Sequence, residues 1–219
     1  MKKFLKLTTV VVSMVMALAF VSCANGNENG QLNLVGTYGL SKVEGINKGP
    51  DGEESMIMTM PTSTSIHQYV VTQEVIDGEK KTVTEMDYTI TKTEDDYSFD
   101  WTKYNINGQA ASKDAKDKFE NDFDEKQWNV YTAPFAITYT TTADGKWSDN
   151  SEHASSGTYT VDEANSKVTM TTLIEEGKNL DKPQIMELTY SNNGKTLVFV
   201  EEESSVDGTY KMTMTLTRK

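Results

Sequence analysis

The sequence predicts an all-β fold: one antiparallel, up-and-down succession of about 8–11 strands closing into a barrel, with one short helix near 111–124. Three observations carry this. Thr, Val, Ile and Tyr are dense and alternate with period 2, the signature of half-buried strands. Asp-Gly and Asn-Gly turn signals separate the alternating runs at short intervals, so sequential strands are antiparallel neighbours. A meander this long cannot stay one flat open sheet and has to close or split.

The first element lies outside that fold. Lys2, Lys3 and Lys6 precede an uncharged, mostly apolar run from Leu7 to Phe20. A bilayer core needs about 20 apolar residues, whereas a shorter run of this kind suits the central region of a secretory leader. Residues 1–22 are therefore assigned to a signal peptide and 23–33, rich in Gly and Asn, to a flexible tether. Residues 34–219 remain as the folded domain.

Within it, strands are predicted near 34–44, 55–60, 65–76, 80–92, 96–106, 134–142, 157–162, 167–174, 184–190, 195–203 and 208–218. Asp77-Gly78, Asp144-Gly145, Asn192-Asn193-Gly194, Glu94-Asp95-Asp96 and Asp162 to Ser166 mark turns. Pro61 should bend the second strand. The helix is read from Ala111, Ala115, Phe119 and Phe123 at i, i+4 spacing, with Trp128 following. It serves as a brace or as a lid over a barrel mouth, the brace being the preferred reading. Gly-Thr-Tyr occurs at 36–38, 157–159 and 208–210, with no constant period, as a pattern that opens strands.

The last strand is the clearest. Tyr210, Met212, Met214, Leu216 and Arg218 fall on one face, and Thr209, Lys211, Thr213, Thr215 and Thr217 on the other. Arg218 is the only arginine of the chain and points inward by this alternation. A guanidinium can cover an aromatic face and hydrogen-bond carbonyls at once.

Two resemblances add to this. Phe20-Val21-Ser22-Cys23, ending in the only cysteine of the chain, resembles the lipobox of bacterial lipoproteins, with Phe where Leu is commoner. The resemblance implies cleavage before Cys23 and lipid attachment there. Ala24 is not the aspartate of inner-membrane-retained lipoproteins, which implies an outer-membrane address, with the side left open. LVGTYGLSKVE near residue 36 resembles the first strand of lipocalin-like (calycin) domains, with Tyr38 in place of the usual Trp. GTYTVDEANSKVTMTTL and GTYKMTMTLTRK resemble their closing strands. Calycins set an arginine of the last strand over the first-strand aromatic, so Gly36, Tyr38 and Arg218 are expected to close the barrel base as a structural group.

Composition excludes other classes. One cysteine rules out a disulfide scaffold or a Cys-based zinc cluster. A net charge of −12, or −12 − 3 = −15 without the three leader lysines, argues against nucleic acid. His67 and His153 are the only histidines, and no catalytic or phosphate-binding motif accompanies them, so no enzyme, metal or cofactor is expected. Asp149, Glu152 and His153, and Glu201 to Glu203, read as solvated acids rather than a cation site.

Two functions compete. In the first, a membrane-anchored monomer binds a small apolar or amphipathic ligand inside the barrel. Met56, Met58, Phe135, Ile137, Tyr139, Met170, Leu197, Phe199, Met212 and Met214 would line that interior. In the second, the same residues fill a packed core, and the protein is a non-catalytic structural or interaction lipoprotein of the cell envelope. Its surface then meets a protein or glycan, with Trp101, Trp147 or Tyr97 available to stack on sugars.

Overall fold

Chain closure sets the topology of the computed structural model, which describes residues 32–94 and 96–219. The leader, Cys23 and tether residues 24–31 lie outside the described residues. Among the described residues there are thirteen strands: β1 (Gly36–Gly49), β2 (Gly52–Thr62), β3 (Ser65–Ile76), β4 (Glu79–Lys92), β5 (Tyr97–Ile106), β6 (Gln109–Ala110), β7 (Thr138–Thr141), β8 (Lys146–Asp149), β9 (Ser155–Asp162), β10 (Lys167–Glu175), β11 (Lys178–Ser191), β12 (Thr196–Ser205) and β13 (Gly208–Arg218). Two helices, α1 (Lys113–Asn121) and α2 (Glu125–Ala136), lie between β6 and β7.

The strands hydrogen-bond in the order β13-β12-β11-β10-β9-β8-β7-β1-β2-β3-β4-β5-β6, and β13 also pairs with β1. That return closes β1 and β7–β13 into an eight-stranded antiparallel barrel, while β2–β6 extend the sheet from β1. β1 serves both, because Gly36–Gly39 pair with β7 and Lys42–Gly49 with β2. The all-β antiparallel barrel is the fold the alternation predicts.

Turn chemistry explains the short connections. Asp77 and Gly78 have φ of 55° and 79°, as a type I′ turn demands. Asn107-Gly108 and Glu176-Gly177 repeat that pair of positive φ values, two turns beyond those the sequence marks. The second joins β10 to a β11 that begins at Lys178 rather than near 184. Beside Pro61 the β2–β3 register shifts between Thr59 and Thr62, the bend expected there.

The larger departure lies at 125–136, where a second helix replaces the start of the strand read at 134–142. Val130, Tyr131 and Thr132 look like strand formers. However, Trp128, Tyr131 and Phe135 are all buried, an i, i+3, i+7 spacing that belongs to a helix. Phe135 is therefore a helical residue, and Ile137 lies between α2 and β7. Pro134 lies inside the helix two residues before its end, where it removes one late backbone hydrogen bond. α1 runs within the predicted 111–124 span, and Ser112 caps it by accepting from the Ala115 amide.

The chain divides into two compact units. In the unit of residues 32–41, 133–200 and 214–219, the core is Tyr38, Tyr139, Tyr159, Val168, Met170, Leu188, Leu197, Met214 and Leu216. Met170 sits between Tyr159 and Met186 in register. In the unit of residues 42–132 and 201–213, Met56, Met58, Ile66, Val70, Tyr88, Ile90 and Met212 are buried. There α1 lays Phe119 edge-on against Tyr88, Phe99 and Trp101, so the helix braces β4 and β5.

Candidate functional site

The closure residues sit in the first unit. Tyr38 is fully buried, and its hydroxyl donates to the Leu34 and Gly194 carbonyls at 3.0 and 2.5 Å. The Arg218 guanidinium carbon lies 5.5 Å from the Tyr38 ring centroid. Its Nη2 donates to the Tyr38 hydroxyl at 3.0 Å, to the Gly194 carbonyl at 3.2 Å and to the Asn33 carbonyl. Burial pushes the Tyr38 pKa up, and the neighbouring Arg218 offsets part of that rise. Gly36 is part of the same fit. A Cβ there would lie 3.1 Å from the Arg218 side chain, and the glycine φ is +153°. The group ties the start of β1 to the end of β13, a structural role with no reactive chemistry.

The proposed lining residues divide between the two units. Phe135, Tyr139, Met170, Leu197 and Met214 are buried in the first, where Ile137 and Phe199 are half-buried. Met56, Met58 and Met212 are buried in the second. Met58, Met170 and Met212 have 0% of their surface accessible, so no water-sized space touches them. A residue lining an open cavity would retain some accessible area, whereas these three are in van der Waals contact on all sides.

The sequence does not single out Gln68, yet it is the most consequential polar group of the second unit's core. It is fully buried on β3, accepts the Tyr88 hydroxyl at 2.6 Å and donates to the Met58 sulfur at 3.3 Å. Tyr131 of α2 also hydrogen-bonds it, which joins the helix to the sheet. Burial pushes Tyr131 up to about 12 and Tyr88 well above the usual phenol range. Alternation puts Gln68 on one face with Ile66 and Val70, but only the burial of those neighbours shows that this face is the core one.

The three aromatics expected to offer themselves to sugars are engaged elsewhere. Trp147 is buried in the first unit. Trp101 stacks on Tyr104 at 4.9 Å and donates from Nε1 to Glu120 of α1 at 2.6 Å. Tyr97 packs edge-on against Phe123 at 5.0 Å. A β-bulge explains this clustering. Asp87 pairs with Lys103 and Tyr88 with Trp101, leaving Thr102 as the extra residue. That extra residue brings Tyr104 to the same face as Trp101, which simple alternation would have denied.

The titratable candidates are held in local pairs. His67 Nε2 lies 2.7 Å from Asp87, and His153 pairs with Glu176. Asp149 accepts the Ser151 and Ser155 amides at 2.8 and 3.1 Å, shaping its own loop. Glu202 pairs with Lys211 at 3.0 Å. Burial raises the Glu201 carboxyl, helped by Glu203 nearby. Among the described residues no group of three acids, histidines or cysteines is placed to hold a metal ion. No helix among the described residues is long and apolar enough to cross a membrane. No protein-family model and no curated protein matches the chain.

Proposed function

We propose that the chain is a lipid-anchored, extracytoplasmic barrel protein of the outer membrane that is not an enzyme and that binds its partner with its outer surface. The observation that carries the surface reading is the absence of accessible area at Met58, Met170 and Met212. These methionines act as core filler, which leaves the outward faces for recognition. Anchoring rests on the resemblance of FVSC at 20–23 to a lipobox, and the acyl chains on Cys23 would hold the domain at the bilayer. The domain's negative charge would keep it off an anionic lipid surface.

The test uses the full chain expressed in a Gram-negative host. Wild-type protein is expected in the outer-membrane fraction, with a mass that includes a diacylglycerol and an acyl chain. Cys23→Ser should leave an unlipidated chain whose mass lacks the diacylglycerol and acyl chain and which is lost from the outer-membrane fraction. Native mass spectrometry of the detergent-released protein should show the lipidated chain alone. A stoichiometric apolar small molecule retained in the complex would overturn the surface reading in favour of an interior ligand.

A further inference from the structure

The outward face of β3, β4 and β5 in the second unit carries a groove of about 220 Å³ bordered by Tyr69, Val71, Val83, Glu85, Asn105 and Gly108. Its position has a structural cause. Thr72 pairs with Thr84 and Gln73 with Thr82, so Val83 is the extra residue of a bulge. The Asn107 amide of the Asn107-Gly108 turn then donates to the Val83 carbonyl at 2.9 Å. A bulge bends its strand and re-aims the side chains around it, and here the bend opens a recess beside the turn. Val71 opposes Glu85, and Glu85 opposes Asn105, so these three form one outward row of the sheet.

The polar groups of the recess are held in place before any ligand arrives. Glu85 accepts the Tyr69 hydroxyl at 3.0 Å and pairs with Lys103 at 2.8 Å through its other oxygen. Lys103, and then Tyr69 and Asn105, hold the Glu85 carboxyl below the usual carboxylate range. The carboxylate is thus ionised and oriented, and with Lys103, Tyr69 and Asn105 bonded to it one of its four lone-pair sites is left to offer. Its charge is already balanced by Lys103, so it does not select strongly for a cation. The chain's net charge of −12 disfavours phosphate, sulfate or an acidic sugar. The walls are a tyrosine ring and two valines, which suit the C–H face of a ring, while Glu85 and Asn105 suit its hydroxyls. The volume lies below the roughly 300 Å³ at which drug-sized sites begin and matches a single ring, with the open side leaving room for the rest of a chain.

We propose that this recess is a binding site for a single neutral sugar ring, such as the terminal unit of an uncharged glycan, with Tyr69 and Val71 against its apolar face and Glu85 and Asn105 accepting and donating to its hydroxyls. The assignment rests on the outer-surface reading above and gives it a location and a ligand class. Lys103 and the Tyr69 hydroxyl act as positioning groups for Glu85.

The experiment is saturation-transfer NMR on the full lipidated protein in deuterated detergent. The probes are the methyl glycosides of glucose, galactose and mannose, N-acetylglucosamine, and glucuronic acid as the anionic comparison. At least one neutral probe is expected to receive saturation with an affinity on the order of 1 mM, and glucuronic acid none. Glu85→Gln should weaken the neutral probe at least about tenfold, one hydrogen-bonded charge being worth that much. Tyr69→Ala should abolish transfer, and Tyr69→Phe, which keeps the ring, should retain part of it. His153→Gln, outside the groove, should change nothing. Should Tyr69→Ala fail to fold, Glu85→Gln and Asn105→Ala carry the test. No transfer to any neutral probe would overturn the site, as would transfer that survives Glu85→Gln and Asn105→Ala together. Either result would leave the surface reading standing, because only a small molecule retained in the native complex removes that.

Discussion

Arg218 shows how much one side chain can hold at the residue scale. Its Nη2 reaches the Tyr38 hydroxyl and two backbone carbonyls, and its guanidinium lies over the ring. Arg218→Ala would leave those carbonyls with fewer donors and remove the cation from the ring. The expected loss is about 2–4 kcal/mol, read as a lower urea midpoint. Arg218→Lys should recover less than half of it, since an ammonium has no flat face to lay over the ring and the shorter lysine does not bring its nitrogen to the place of Nη2. Tyr38→Phe is a milder test. It keeps the ring but removes the donor to Leu34 and Gly194, at a cost of about 1–2 kcal/mol. This group is legible in the sequence because a lone arginine at an inward position of the last strand has few other uses. Gln68 is not, because a glutamine in a strand carries no signal until the face it occupies is known to be the core one.

At the element scale, the same residue type acts for different reasons. Gly78 has φ +79° and open space around it, so Gly78→Ala should cost about 1 kcal/mol through backbone conformation alone. Gly157 of the second Gly-Thr-Tyr is pressed against the Thr171 carbonyl and the Trp147 ring nitrogen. Gly157→Ala should therefore destabilise by more than Gly78→Ala in the same urea titration, because a backbone neighbour has to move. The bulge on β5 can be tested by deletion. Removing Thr102 would leave Trp101, Lys103 and Tyr104 in simple alternation opposite Tyr88, Asp87 and Met86, so Tyr104 should stay on the face of Trp101 and both near-UV and far-UV circular dichroism should be retained. Deleting Lys103 together with Thr102 should instead turn Tyr104 outward and lose the near-UV signal. Hairpins with Asp-Gly are legible because their chemistry is local. The helix at 125–136 is not, because β-branched and aromatic residues mask a helical period that only burial of Trp128, Tyr131 and Phe135 reveals.

Across the whole molecule, the buried tyrosines set an alkaline limit. Burial raises the phenols of Tyr38, Tyr88, Tyr131, Tyr139 and Tyr210, with Tyr131 and Tyr210 reaching about 12. A tyrosine is neutral below its pKa, so a raised folded value means the folded state resists losing the proton. The unfolded phenol ionises near pH 10, the folded one later. Stability is therefore intact below pH 10 and falls as pH rises through 10 to 12. Each buried phenol takes away roughly 1.4 kcal/mol for every tenfold fall in proton concentration between its unfolded and its folded ionisation. The carboxylates act at the other end. Glu53 and Asp162 are lowered by Lys80 and Asn165 respectively, so their contribution is present above the unfolded value and is lost as pH falls through the folded one. Asp162 is exposed and Glu53 sits at the surface between two lysines, so both are screened by solvent, and Glu201, raised by burial, acts in the opposite sense. The acid loss should therefore be shallow and the alkaline one steep. Tyrosinate absorbance followed beside far-UV circular dichroism will test this. The buried phenols should ionise in one step that coincides with unfolding. Tyr131→Phe should move that step to higher pH once the lost Gln68 hydrogen bond is corrected for by the stability at pH 7. A smooth titration of all tyrosines before any loss of strand signal would show that these phenols are not held in a packed interior, and the filled-core reading would go with them.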